Sequence, residues 1–404
     1  MSSNPVSIFD VVPQGDSGEA LQNSEPSIAV NPVNPLQMMA GSFGFYTFFF
    51  ASTDGGSTWS DLAALSTSDK SLAWSADGST ALAATFATPN DTTSAVYTYA
   101  ASAIVPNGGF GAPINQFTGS GQNDQPWIRT GPNGHTYVAY NNLGNFDTTN
   151  MTASVNVSMD GGALYPLVLT IEQVAATAGQ DDPAIRLGVN GNTVYAIFDR
   201  WNTTVESDPF GQRYESQFMV VKSVLGGADL FSALDGLGGV EAAAHLGAIS
   251  EDVYNTPLTF GLERIAGGDI AIAVDPNNAN HVVLAYTNAP GFDGAGVVQL
   301  VVTESTDGGN TWTEKYATPY TVRSGQPALA ILTDGTIGFL YNDYDPITNT
   351  LSQQLVTTNN DFASVNTFVL ATETNNSYLT FRFNPYLGDF FDLTSLGDTF
   401  YGSG

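Results

Sequence analysis

The chain has 404 residues, 42% of them hydrophobic, enough to bury a substantial core and longer than a usual single layered domain. Ten Lys and Arg face 39 Asp and Glu, a net charge of −29, which argues against nucleic acid and anionic membrane surfaces as partners because both are held through cations. No cysteine is present, so disulfides and thiolate metal sites are excluded, and no apolar run reaches the roughly 18 residues that span a bilayer. Residues 1–20 show no basic stretch followed by an apolar one, so no cleavable export signal is read there. An extracellular or cell-surface location is nevertheless expected for so acidic and cysteine-free a chain.

Along the chain, 42 Gly and 20 Pro predict many short strands and tight turns, an all-β architecture. One block recurs: a polar residue, often followed by Pro, a run of apolar residues, a turn, and a second apolar strand. It begins at Glu25-Pro-Ser-Ile, Ser71-Leu-Ala-Trp, Gln125-Pro-Trp-Ile and Asp182-Pro-Ala-Ile, and again at Asp269-Ile-Ala-Ile, Gln326-Pro-Ala-Leu and Asp389-Phe-Phe-Asp. Second strands such as Thr136 to Tyr140 and Thr336 to Tyr341 are β-branched and aromatic. Seven blocks predict a seven-bladed β-propeller spanning residues 1–404 as one domain, with six blades as the alternative because the Ser71 block matches least well. The last block starts sixteen residues from the end, so the segment Val6 to Val12 is expected to complete that blade and close the ring. The 87 residues from Asp182 to Asp269 exceed the ordinary interval, and residues 235–266 read as an upper-face inserted loop with a short helix.

Ser52-Thr-Asp54-Gly-Gly56-Ser-Thr58-Trp59 and Ser305-Thr-Asp307-Gly-Gly309-Asn-Thr311-Trp312 match the Asp-box pattern S-x-D-x-G-x-T-W, and Ser158-Met-Asp160-Gly-Gly162 is a degraded copy. Remnants are read at Ser223 to Phe231 and Thr357 to Phe362. On these motifs the chain resembles the sialidase-like, bacterial-neuraminidase-repeat propellers along nearly its whole length. The resemblance implies that the boxes turn between third and fourth strands, on the face opposite the active one. Such boxes specify fold rather than chemistry.

The upper face then collects the candidate residues. First-strand starts supply Glu25, Gln125, Asp182, Asp269, Gln326 and Asp389, which either perturb one another's ionisation or cap neighbouring strands. Second-strand ends supply Asn141, Arg200, Trp201, Asn342, Asp343 and Tyr344, planar polar groups and rings suited to a sugar. Of seven arginines, Arg264, Arg323 and Arg382 stand 59 residues apart before consecutive blades, and with Arg200 they map to this face. Three guanidiniums at one point would bind a carboxylate, as the arginine triad of sialidase-like enzymes does; single surface ion pairs are the plainer reading. Arg129 and Arg186 read as interblade ion pairs. His245, in the inserted loop with Glu241, Glu251, Asp252 and Tyr254, is a candidate general acid or base, whereas His135 and His281 read as plain surface residues.

The expected function is a carbohydrate-active enzyme, a glycoside hydrolase or polysaccharide lyase, acting on an acidic glycan. Asp182 or Asp269 would donate the proton and a tyrosine such as Tyr344 would attack. A non-catalytic glycan- or protein-binding propeller is the alternative, because the Arg-Ile-Pro sequence that opens sialidase domains is absent. No cofactor is required; Asp-rich loops leave structural calcium open, with no diagnostic spacing.

Overall fold

A computed structural model describes residues 6–9, 11, 24–43, 47–67, 69–90, 93–116, 123–142, 151–174, 185–201, 206–208, 211–229, 231, 245–254, 270–288, 298–374 and 390–404. These form seven antiparallel sheets in chain order. Sheet 1 holds β1 (Ser24–Val30), β2 (Met38–Phe43), β3 (Thr47–Ser52) and β4 (Ser60–Leu65), and sheet 2 holds β5 (Lys70–Trp74), β6 (Ala81–Asn90), β7 (Thr93–Ala101) and β8 (Ile114–Asn115). Sheet 3 is built from β9 (Asn123–Thr130), β10 (Thr136–Asn142), β11 (Met151–Ser158) and β12 (Leu167–Val174). Sheet 4 has β13 (Ile185–Asn190), β14 (Thr193–Trp201), β15 (Glu206–Asp208), β16 (Gly211–Ser223) and β17 (His245–Tyr254). In sheet 5 lie β18 (Ile270–Asp275), β19 (Asn278–Asn288), β20 (Gln299–Ser305) and β21 (Thr313–Ala317). Sheet 6 follows with β22 (Arg323–Ile331), β23 (Ile337–Asp345), β24 (Thr350–Thr358) and β25 (Asn366–Thr374), and sheet 7 with β26 (Asp392–Leu396) and β27 (Thr399–Ser403).

The first strands β1, β5, β9, β13, β18, β22 and β26 stand side by side in that order, and β26 returns to β1. Flanked on both sides by other first strands, several of them carry apolar runs rather than an alternating pattern, such as Ile270 to Val274 in β18; β5 and β22 are buried throughout. Apolar layers fill the spaces between successive sheets, such as Ala271, Leu300, Leu329 and Phe339 between sheets 5 and 6. The arrangement is an all-β propeller.

Two expectations about its closure are corrected. Six sheets carry four or five strands, whereas sheet 7 carries two among the described residues, so the six-blade alternative fits and seven complete blades do not. Val6 to Phe9 and Val11 form no strand, and Val6, Ile8 and Phe9 are exposed. Pro5 and Pro13 bracket that segment, and proline cannot donate to a ladder. Phe9 lies instead beside Gly56, at the turn after β3.

The turns after third strands share one hydrogen-bond plan. Gly56 N–H donates to Ser52 Oγ at 2.9 Å, Gly162 to Ser158 at 2.9 Å, Gly227 to Ser223 at 2.6 Å and Gly309 to Ser305 at 2.8 Å. Positive φ of 87° at Gly56 and 91° at Gly309 explains the glycine there. All these turns lie at one end of the sheets, here the lower face, which fixes first-strand starts and second-strand ends on the upper one.

Residues 245–254 correct the inserted-loop reading: they form β17, the outer strand along β16, and not a helix. In backbone register, Leu246 pairs with Met219 and Ala248 with Phe218. The rest of 235–266 lies outside the described residues.

Candidate functional site

At the upper ends of β1, β9 and β22, Glu25, Gln125 and Gln326 take left-handed backbone, with φ of 49°, 54° and 56°. Each precedes a proline, which pushes its predecessor toward extended backbone, and each sits at a register shift against the second strand. Strain at three equivalent places is a built feature of the repeat. The bulge tucks the side chains inward. Gln326 Oε1 accepts from Asn342 Nδ2 at 2.7 Å, and Gln125 Oε1 accepts from Arg186 at 3.3 Å. All three are at most 4% exposed, so they do not line an open acidic mouth, and the two glutamines clasp neighbouring strands. Asp182, Asp269 and Asp389 lie outside the described residues.

The centre of the ring is cationic and aromatic. Arg129 spans to Asp392 of sheet 7 at 3.0 Å and lies 4.5 Å from the Trp127 ring; Arg186 lies 4.2 Å from Trp127 and 5.4 Å from Phe390. Lys70, fully buried, is 5.7 Å from Phe390 and 5.8 Å from Phe43. Arg129 thus makes the expected ion pair, and Arg186 bonds an amide and stacks on two rings. Lys70 and Phe390 escaped the sequence reading. Their signal was position alone, next to the first-strand starts.

Sheet 6 brings several predicted residues together. Asp343, half-buried on β23, accepts from Ser324 Oγ at 2.8 Å and from Gln354 Nε2 at 3.0 Å. Burial nevertheless raises its pKa, outweighing those two bonds. Arg323 is paired in register with Tyr344, its guanidinium 5.9 Å from that ring, and burial lowers its pKa. Tyr344 Oη donates to Asn349 Oδ1 at 2.6 Å, and burial raises its pKa too. A nucleophilic tyrosine needs the opposite shift. Strand alternation sends Asp343 and Tyr344 to opposite faces of the sheet, Asp343 with Tyr341 and Gln354, so the two do not share one pocket. Tyr286 and Tyr341 are likewise raised by burial, Tyr286 to about 12.

Other candidates separate. Arg200 and Trp201 close the upper end of β14, opposite Gln217 and Ser216, but their side chains lie outside the described ones. Arg264 and Arg382 lie outside the described residues altogether. His245 is corrected in place: it lies on β17 paired with Val220, three residues from the lower turn at Ser223 and three along β16 from Gln217, the partner of Arg200. His281 is corrected in character, being held between Asp275 and Glu304. Among the described residues, no cluster of three or more His, Asp or Glu side chains could hold a metal ion, and no helix is long and apolar enough to cross a membrane.

No family model matches the chain, and no curated protein matches it. Solved structures do. An α-L-arabinanase from Penicillium chrysogenum, complexed with arabinobiose, is 14% identical with a TM-score of 0.50, covering 84% of this chain and 94% of that one. An α-L-arabinofuranosidase from Fusarium graminearum is 11% identical with a TM-score of 0.47, over 90% and 96% of the two chains. A Hadza microbial sialidase is 14% identical with a TM-score of 0.47, over 79% and 63%. Likeness at this identity shows the fold: the chain shares the β-propeller architecture of the arabinanase.

Proposed function

We propose that the chain is a glycoside hydrolase that binds an acidic glycan on the upper face, with Asp343 as its proton donor. The observation that carries this reading is the seat of Asp343 at the upper end of sheet 6. A general acid must be clamped, reachable, and protonated further up the pH scale than a free carboxyl; Asp343 is held by two donors, half-buried, and shifted upward. Asn342 and Arg323 stand on the same strand pair, and exposed Tyr320 and Ile347 project from its flanking turns, 64% and 87% exposed. An exposed ring such as that of Tyr320 suits the apolar face of a sugar. Arg200, Arg264 and Arg382 would hold the glycan carboxylate, with Trp201 stacking on a sugar ring, while Arg323 supports the opposite face of the sheet beside Tyr344. Asp182 or Asp269 would supply the second carboxyl group that glycoside hydrolysis uses. The acidic, cysteine-free composition supports action outside the cell or at its surface. The arabinanase of like fold, complexed with arabinobiose, supports a carbohydrate ligand.

Incubation with arabinan, sialylated glycans and polyuronates, read for new reducing ends and for unsaturated uronate absorbance, tests the proposal. Reducing ends without that absorbance are expected. Asp343→Asn should lower kcat by about 10²-fold or more on natural linkages, and far less on aryl glycosides whose leaving group needs no proton. No product from any glycan would overturn it. Binding without turnover would favour the non-catalytic alternative, which the amides at Gln125 and Gln326 also suit because an amide cannot act as the proton donor.

A further inference from the structure

Five ionisable side chains run in a line across the lower ends of sheets 5 and 6. His281 faces Asp275 Oδ2 through Nδ1 at 2.9 Å and Glu304 Oε1 through Nε2 at 2.6 Å. Lys315 on β21 bonds Glu304 Oε2 at 3.0 Å and crosses to Asp361, in the turn between β24 and β25, at 2.6 Å. The signs alternate from Asp275 to Asp361. The line borders a cavity of about 300 Å³, walled also by Thr306, Gly335, Ile337, Thr358 and Asn359.

Carboxylates accept and do not donate, so both contacts of His281 need an N–H. The imidazolium has two and the neutral ring has one. Loss of the proton therefore leaves one carboxylate facing a bare ring nitrogen at hydrogen-bond distance. The contacts favour the charged form: the hydrogen bond with Glu304 raises the His281 pKa most, burial opposes it, and Asp275 adds to the rise. Glu304 is drawn down to about 2, chiefly by His281 and, against burial, by Lys315. Other charged groups face this place from neighbouring elements. Lys222 on β16 bonds Asn280 beside His281 at 3.2 Å, and Asp334 adjoins Gly335 of the cavity wall. Arg323 on β22 is at the far, upper end, and on β17 the side chains of His245, Glu251 and Asp252 lie outside the described ones.

The far end of the line holds a strained element. Asp361 and Phe362 are consecutive non-glycine residues in left-handed backbone, φ 56° and 60°. Phe362 places its ring 6.3 Å from both Tyr316 and Phe339, and Lys315 ties Asp361 to sheet 5. We propose that this chain of charges is a proton-operated latch: protonated His281 fixes Glu304 and Lys315 so that the strained turn at Asp361 and Phe362 stays docked on sheet 5, and loss of that proton releases the turn.

Native-state hydrogen exchange of the 355–366 segment, corrected for intrinsic rates and followed from about pH 6 to about pH 9, tests the latch. In the wild type, protection should fall about tenfold or more as pH rises, with the same midpoint as the His281 ring in a histidine NMR titration, above 6.5. His281→Gln should exchange faster at low pH and lose the dependence, and Lys315→Met should exchange faster at every pH. Flat wild-type protection, a His281 midpoint at or below 6.5, or an unchanged pH dependence in His281→Gln would each overturn the proposal. If His281→Gln does not fold, the first two readouts on the wild type still decide.

Discussion

At the scale of single residues, Asp343 and His281 are both shifted upward, for different reasons and with different consequences. Asp343 is raised by burial, a cost levied on its charged form, while Ser324 and Gln354 offset only part of it. A carboxyl with a raised folded pKa contributes stability that is present below the unfolded value, near 3.8, and lost as pH rises through the folded value. Asp343→Asn removes that penalty. Gln354 can turn its amide over to accept from the new Asn, because the Tyr341 hydroxyl accepts as well as donates. The variant should melt on the order of 2 °C above the wild type at pH 7, with the gap closing toward pH 4, in paired thermal melts. His281, raised chiefly by its bond with Glu304, gives a rising phase of instability on the alkaline side. Wild-type melts should therefore fall through its folded pKa, above 6.5, and His281→Gln should flatten that limb.

At the scale of elements, the turns after third strands are the clearest case of local chemistry deciding structure. Asp307 accepts from Thr311 N at 2.9 Å, Thr311 Oγ1 at 2.7 Å, Asn310 N at 3.0 Å and Ser305 Oγ at 2.8 Å, and these bonds, the backbone one from Thr311 foremost, lower its pKa to about 2. Its folded pKa is depressed, so its contribution is present above about 3.8 and lost as pH falls toward about 2. Asp307→Ala should lower the melting temperature slightly at pH 7, solvent screening keeping the effect small, and the deficit should shrink in melts near pH 2.5. Turnover should not change, since the turn is on the lower face. These turns were legible because the Ser and Asp side chains that define them find their partners within six residues. The bulges at Glu25, Gln125 and Gln326 were not. The Pro dipeptides announced a special position, yet only the strand register shows that it folds the side chain inward. His281 was misread for the same reason, its partner Glu304 being 23 residues away on another strand.

At the scale of the whole ring, the seam between sheets 7 and 1 is where closure is decided. Sheet 7 offers two strands among the described residues, locked to sheet 6 where Phe400 fills the space over Gly338; a Cβ there would come within 2.6 Å of the ring. On its other side, Asp392 accepts from Ser27 Oγ at 2.9 Å and from Ile28 N at 3.4 Å. Ser27 Oγ in turn accepts from Leu72 N at 3.1 Å, Ser71 Oγ accepts from Ile128 N at 3.1 Å, and the adjacent Arg129 returns to Asp392. The polar circuit therefore joins sheets 7, 1, 2 and 3 through one buried carboxylate, 2% exposed. Removing a partner from a buried ion pair typically costs about 3–5 kcal/mol; with the Arg129 side chain 25% exposed, Asp392→Ala should cost about 2–3 kcal/mol in denaturant unfolding. Arg129→Ala alone should cost less, because Asp392 keeps the Ser27 and Ile28 donors. The two losses share one interaction, so the double variant should fall short of their sum by about 1 kcal/mol or more. Strict additivity in that cycle would show that Arg129 and Asp392 are neighbours at the centre of the ring without being the bond that holds it closed.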